Sequence, residues 1–340
     1  MLHGHGDDGY RYDAPVRANF SSNTWPGLDH TALQHYLSER FAVVRSYPEP
    51  AAETLAAQIA AMEGVDPAEV VVTNGATEAI YLIAQAHRGG RAAIVAPTFS
   101  EYADASALAD GAVQYIDRAQ FAAGAWDRAD LVWLCNPNNP TGEVMARAEL
   151  LALVARHPQV RFVVDLAYAA FCAEEPVRAG DVRTHPNLIV VHSLTKRFAI
   201  PGLRLGYLVA AGAIAGAVAR FRPPWSVNAL ALEAGHFLLK HQAALAPRLA
   251  PYLAEARRVM ATINWLPGLT VRTSATGFFL IELARGRSDE LKRDLLHRHG
   301  LLVRDAANFH GLDARHVRIA TQTPAENRWL EEALAQWTHS

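Results

Sequence analysis

Between residues 70 and 210 the chain repeats one pattern: a short run apolar at nearly every position, a polar or proline-containing break, then a longer stretch with helical spacing. Val70-Val71-Val72-Thr73 runs into Asn74-Gly75 and a helical stretch from Glu78 to Ala86. Ala92-Ala93-Ile94-Val95-Ala96 stops at Pro97, and Leu131-Val132-Trp133-Leu134-Cys135 stops at Asn136-Pro137. Arg161-Phe162-Val163-Val164 ends at Asp165, Leu188-Ile189-Val190-Val191-His192 ends at Ser193, and Leu205 to Ala210 follows closely. A strand apolar on both faces must be covered on both. That is the condition of a largely parallel sheet with helices such as Arg147 to Ala155 between its strands. The pattern predicts an α/β layered centre.

After about Gly235 the rhythm changes. A long helical stretch from Leu245 to Ile263 precedes strand-like Leu269-Thr270-Val271 and Phe278-Phe279-Leu280-Ile281. A helix from Ser288 to Gly300, one more short strand and a final helix from Pro324 to Trp337 follow. Helices on a small sheet without strict alternation predict a second, α+β unit. The expected division is an N-terminal segment, 1–45, packing with the small unit or across an interface; a large unit, 46–240; and a small C-terminal unit, 241–340. There is no internal repeat and no low-complexity tract.

Composition narrows the function classes. The 340 residues are 51% hydrophobic and 19% charged, with a net charge of −2, enough apolar content for a large core. Nothing supplies the one-signed basic field of a nucleic-acid binder. Cys135 and Cys172 each sit in an apolar stretch, which points to buried thiols in a reducing cytosol and not to a disulfide framework or structural zinc. Residues 1–8 lack a signal-peptide pattern, and no apolar run approaches the roughly 18 residues of a membrane span. The expectation is a soluble cytoplasmic protein acting on a small molecule.

In open α/β sheets ligands bind beyond the carboxyl ends of the strands, and here those ends carry the unusual polar residues. Asn74-Gly75-Ala76-Thr77 lies between a strand and a helix, where exposed amides and a hydroxyl can grip a phosphate; a plain N-cap is the competing reading. No GxGxxG or GxxxxGK[ST] occurs, which argues against dinucleotide or P-loop chemistry. Asn136-Pro137-Asn138-Asn139-Pro140-Thr141-Gly142 is a dense, constrained turn. Asp165 ends an apolar strand, where a carboxylate needs a cationic partner, either a protonated pyridine nitrogen or a nearby arginine. A lysine desolvated at Lys196 would have a lowered pKa and act as a nucleophile toward a carbonyl. Arg204, in Gly202-Leu203-Arg204-Leu205-Gly206, would clamp a phosphate.

These segments, with Tyr47-Pro48-Glu49-Pro50, Pro97-Thr98-Phe99 and Asp165-Leu166-Ala167-Tyr168, stand in an order that resembles the fold-type-I pyridoxal-phosphate (PLP) family. The similar branch holds histidinol-phosphate aminotransferases and L-threonine O-3-phosphate decarboxylases. The resemblance covers most of the chain. It implies an α/β PLP-dependent transferase fold: a large domain with a mostly parallel mixed sheet flanked by helices, plus a smaller α+β domain. It further implies that Lys196 holds PLP as a Schiff base and moves protons at the substrate's α-carbon, and that Asp165 pairs with the pyridine nitrogen. Asn139 and Tyr168 would bond the ring's phenolate oxygen, and Phe99, often tyrosine in relatives, would stack on the ring. Ala76, Thr77, Ser193 and Arg204 would bind the cofactor phosphate. Tyr47 would reach that phosphate from a neighbouring subunit, which implies a homodimer with shared sites. Arg318 would take the substrate carboxylate, and Asn23 would close over the substrate.

Two activities fit. Decarboxylation of L-threonine O-3-phosphate is favoured by Leu302 to Phe309 with Gly311-Leu312, by Ala199-Ile200-Pro201-Gly202 after the lysine, and by the His3-Gly4-His5-Gly6 opening, all similar to decarboxylases. Transamination of histidinol phosphate or a similar phosphate is the alternative. For the substrate's phosphate, Arg304 is the best-placed cation; Arg197, Arg178 and Arg11 are further candidates, with surface salt bridging the expectation for Arg178 and Arg11.

Overall fold

The strands, numbered in chain order, are β1 (Ala18–Asn19), β2 (Val70–Thr73), β3 (Arg91–Val95), β4 (Ala112–Ile116), β5 (Leu131–Cys135), β6 (Arg161–Asp165), β7 (Leu188–Ser193), β8 (Gly206–Ala210), β9 (Leu269–Val271), β10 (Phe278–Leu283), β11 (Leu301–Leu302), β12 (Arg304–Asp305) and β13 (His316–Ala320). They come from a computed structural model describing residues 6–126, 128–245 and 248–339.

The apolar runs pair into one seven-stranded sheet in the order β2-β8-β7-β6-β5-β3-β4. From β4 to β7 every pairing is parallel, while β8 runs antiparallel to both β7 and β2. Its direction follows from its connection: after β7 the chain makes one helical turn, Leu194–Arg197, and a loop, not the crossover helix a parallel return needs. Period-two alternation sends Val164 and Val190 into one apolar cluster and Val163 and Val191 into the cluster on the opposite face. Both faces are therefore covered, as the unbroken apolar runs predicted. The sheet is the mixed α/β layer of the expected fold class.

The C-terminal part forms a four-stranded antiparallel sheet, β12-β13-β10-β9. Its core holds Phe279, Ile281, Val317 and Ile319, joined by Ala18 and Phe20 from the start of the chain. β1 pairs in parallel with β11, so the N-terminal segment is stitched onto this part. Two details differ from the sequence expectation. The long helix begins at Leu249 and ends at Asn264, not at Leu245, in keeping with Pro251, which a helix tolerates in its first turn but not in its interior. The single short strand expected after Gly300 is two, β11 and β12, because Val303 separates a pairing with β1 from a pairing with β13.

Among the described residues no helix is long and apolar enough to cross a membrane. No cluster of three or more metal-capable side chains occurs among them.

Candidate active site

Parallel pairing aligns the carboxyl ends of β3, β5, β6 and β7 at one edge, and the antiparallel β8 brings the end of β2 and its own beginning to the same edge. A cavity of about 410 Å³ opens there, within the usual range of small-molecule sites.

One end of the cavity is built for an anion. The helix Gly75–Ala86 starts directly after β2, and its N-cap residue Asn74 makes no side-chain cap bond. The first amides, with Ala76 and Thr77 on the cavity wall, therefore point to the cavity with the positive end of the helix behind them. Glycine is required at two places. A Cβ on Gly75, whose φ is +79°, would lie 2.5 Å from Arg204 Nη2, and one on Gly206 would lie 2.7 Å from the Ala76 amide nitrogen. The two glycines thus let the Arg204 guanidinium lie over the helix start. Arg204 itself has φ +59°, a conformation L side chains hold only where the surroundings enforce it. Ser193 adds a hydroxyl to the same wall. Amides, hydroxyls and a guanidinium at a helix N-terminus are the donor set of a phosphate.

Asp165, at the end of β6, is 4% exposed. Its Oδ2 accepts from the Tyr102 hydroxyl at 2.7 Å and its Oδ1 from the Ala167 amide at 2.8 Å. Those partners are neutral, so the alternative of a salt bridge to an arginine falls away. Burial pushes the Asp165 carboxyl above the usual carboxylate range, opposed by Tyr102, Ala167 and the nearby Lys196. Lys196, in the turn after β7, is pushed down to about 8 by burial, helped by Arg318 and Arg204 and opposed by Asp7 and Asp165. A half-buried amine that loses its proton near pH 8 is a nucleophile. It stands beside a buried carboxylate suited to a ring cation. The residues therefore fit PLP.

The far side comes from the smaller sheet. Arg304 and Arg318 face one another across β12 and β13, 6% and 5% exposed. Arg318 donates from Nη1 to Asn139 Oδ1 at 2.5 Å and from Nη2 to the Ser21 carbonyl oxygen. Burial, with Arg304 nearby, brings its pKa down to about 10. Arg304 donates to the Asp305 carbonyl and to Asn308 Oδ1, and lies over the Phe309 ring. Asn139 belongs to the constrained turn, held by Asn138 donating to the Pro97 carbonyl at 2.8 Å and to Thr141 Oγ1 at 2.9 Å. Tyr168 is buried edge-on to Phe278 beside buried Asn23, and burial pushes its hydroxyl up.

Of the residues singled out in the sequence, Asn23, Ala76, Thr77, Phe99, Asn139, Asp165, Tyr168, Ser193, Lys196, Arg204, Arg304 and Arg318 all line the cavity. Tyr47 does not: it is 85% exposed and packs at a tilt against Trp225, with the ring centroids 5.2 Å apart. Arg197 is also outside the cavity wall, donating instead to Gln242 at 3.0 Å. Arg178 pairs with Glu175 on the surface, and Arg11 lies by the Tyr10 hydroxyl. Cys135 and Cys172 are free, buried thiols. His3 and His5 fall outside the described residues. The sequence reading passed over Tyr102, Ser21 and Asp7, and named Gly6 only as part of the His3-Gly4-His5-Gly6 opening. Tyr102 stands three positions after Phe99 and one helical turn away, the one available signal that both serve one site.

A profile of the aminotransferase class I and II family matches residues 18–334. The chain is 32% identical over 330 residues to a threonine-phosphate decarboxylase of Salmonella typhimurium, covering 93% of this chain and 90% of that protein. It is also 32% identical over 305 residues to a histidinol-phosphate aminotransferase of Thermoanaerobacter sp., covering 86% and 84%. The crystal structure of L-threonine-O-3-phosphate decarboxylase from Porphyromonas gingivalis superposes with a TM-score of 0.93 at 40% identity, covering 95% of this chain and 100% of that one. With a cavity whose lysine, acid and anion cradle agree with it, the match over nearly the whole length makes this chain an enzyme of the class I and II aminotransferase family.

Proposed function

We propose that the protein is a PLP-dependent decarboxylase of L-threonine O-3-phosphate, with the cofactor held on Lys196. The observation that carries the choice is the pair of buried guanidiniums, Arg304 and Arg318, on the wall facing Lys196. Two such groups beyond the cofactor's own phosphate cradle suit a substrate with two anionic ends, a carboxylate and a phosphate. Histidinol phosphate has one. The 40% identity to the Porphyromonas decarboxylase supports the same reading. The 32% identity to a histidinol-phosphate aminotransferase, the same as to the Salmonella decarboxylase, keeps transamination of an amino-alcohol phosphate as the second reading.

PLP, when bound, supplies an electron sink for the pair left behind as the bond to the carboxylate breaks. The chain's own residues do the rest. Ala76, Thr77, Ser193 and Arg204 bind the cofactor phosphate, Asp165 holds the pyridine nitrogen's proton, and Phe99 supplies a stacking face. Arg318 occupies Asn139 Oδ1, which turns the Asn139 amide nitrogen, with Tyr168, toward the ring oxygen. Arg318 takes the substrate carboxylate, Arg304 the substrate phosphate, and Asn23 closes the wall between them. Lys196 Nζ returns a proton to the α-carbon once CO2 has left.

The same reading makes the enzyme a cytoplasmic homodimer. Phe41, Val44, Tyr47, Phe221 and Trp225 are exposed apolar side chains, with Tyr47 and Trp225 in ring contact at 5.2 Å, and such a surface suits burial against a second copy. In this reading Tyr47 completes the partner's phosphate cradle. The division into 1–45, 46–240 and 241–340 belongs to it as well. The test is CO2 release from L-threonine O-3-phosphate by the PLP-loaded protein.

A further inference from the structure

Residues 6–12 run from the cavity wall, which Gly6 and Asp7 line, to the helix Ser288–His299 without joining either large sheet, and three sets of contacts hold them there. A Cβ on Gly6 would collide with the Ser21 carbonyl oxygen, the atom to which Arg318 donates. Only glycine lets the chain pass so close to that guanidinium. The Asp7 amide donates to Ser21 Oγ at 2.7 Å, and Asp7 Oδ1 accepts from Asn19 Nδ2 at 2.6 Å. Both Asp8 carboxylate oxygens accept from Lys292 Nζ, at 2.7 and 2.6 Å.

The last contact is the unusual one. Lys292 sits on the buried face of the helix Ser288–His299, among Leu291, Leu295 and Leu296, with its side chain 5% exposed and that of Asp8 13%. Its Nζ also stands 5.0 Å from the centre of the Tyr12 ring. A lysine at such a position is costly unless paired, and the described carboxylate paired with it is on the N-terminal segment. The neighbours on either side of that pair do different work: Tyr12 packs against the ammonium, whereas Gly6 and Asp7 form part of the cavity wall. Lys292 does not line the cavity.

We propose that residues 6–12 are a strap closing the substrate side of the cavity, that the Asp8–Lys292 ion pair is its catch, and that Lys292 is thereby a positioning residue for substrate binding. Releasing the catch uncovers the wall at Ser21 and Arg318 and admits water to the guanidinium that binds the carboxylate. The cofactor cradle, built from β2, β7 and β8, is untouched. The substrate half of this inference rests on the proposed function; the mechanical half does not.

The experiment uses the PLP-loaded full chain with Lys292→Met, Asp8→Asn and the conservative Lys292→Arg. Trypsin cleavage after Arg11, followed by mass spectrometry, reads the strap, and steady-state kinetics with L-threonine O-3-phosphate read the site. Lys292→Met and Asp8→Asn are expected to speed that cleavage and raise KM by about tenfold each. kcat and the visible spectrum of bound PLP should stay near those of the wild type, and Lys292→Arg should restore both readouts. Unchanged cleavage overturns the catch, and faster cleavage at unchanged KM overturns the positioning role. A wild-type enzyme that turns over no amino-acid phosphate overturns the proposed function instead, and the cleavage ratio still decides the catch.

Discussion

Arg318 Nη1 donates to Asn139 Oδ1 over 2.5 Å, and this contact joins the smaller sheet to the turn that ends β5. The guanidinium is fixed by the larger sheet's loop before any substrate arrives, and Asn139 has its acceptor occupied so that its amide nitrogen is the end left to donate. In the proposed function, binding the substrate carboxylate there would therefore need little reorganisation. Replacing Arg318 with alanine should weaken amino-acid binding by about two orders of magnitude or more while PLP stays bound. Titration of the bound-cofactor spectrum with substrate measures it, and unchanged affinity would move the carboxylate site elsewhere.

Lys196→Ala should leave PLP exchangeable. After borohydride treatment of the wild type, mass spectrometry should find the cofactor's mass on the peptide containing Lys196, and on no peptide of the variant. A labelled peptide in the variant would transfer the covalent role to another amine.

The lowered Lys196 pKa gives a pH dependence of definite sign. Its folded value of about 8 lies below the ordinary 10.5, so the unfolded chain holds more protons between the two. The buried charge costs stability in full below about pH 8, and the cost vanishes as pH rises past the ordinary value. In the cofactor-free protein, Lys196→Met should therefore stabilise by up to about 3 kcal/mol at pH 7 and by much less at pH 10.5. Urea unfolding at the two pH values measures the difference. Covalent capture of added PLP should speed up with pH and level off above about 8.

Tyr102 donates to Asp165 at 2.7 Å, and hydrogen bonds to charged groups are worth roughly 1.5–3 kcal/mol. Tyr102→Phe removes that support for the ionised carboxylate and should raise the Asp165 pKa further, since burial already does so. The expected result is a kcat lower by about tenfold or more, with the acid limb of the pH–rate profile displaced to higher pH. A profile superimposable on the wild type would show that the hydroxyl does nothing for Asp165.

What was legible in the sequence follows from which signals are local. A strand such as Leu188–Ser193, buried along its whole length apart from His192, announces itself by composition, and the polar residues at its end announce the edge where ligands bind. Lys196, Asp165 and Arg204 were singled out in this way, and all three line the cavity. The antiparallel sense of β8 has no such mark, because it depends on how the loop after Lys196 returns. The split between β11 and β12 depends on which distant strand each residue meets. Tyr102 went unread because nothing local marks it: it is a core aromatic, stacked on Trp133 at 5.2 Å, and its hydroxyl matters only because Asp165 lies 63 positions away at the same edge. Arg197 was misjudged for the opposite reason. It is adjacent to the lysine in sequence, but one residue along a helical turn rotates a side chain by about 100°, and it points to Gln242 instead.

The central claim is tested most directly by incubating the PLP-loaded enzyme with L-threonine O-3-phosphate while following CO2 release and the cofactor's spectrum together, with histidinol phosphate in a parallel reaction. The account predicts many turnovers of CO2 with the cofactor remaining in its lysine-bound form, and little reaction with histidinol phosphate. No CO2, with stoichiometric conversion of PLP to its aminated form by histidinol phosphate, would contradict it and make the enzyme an aminotransferase.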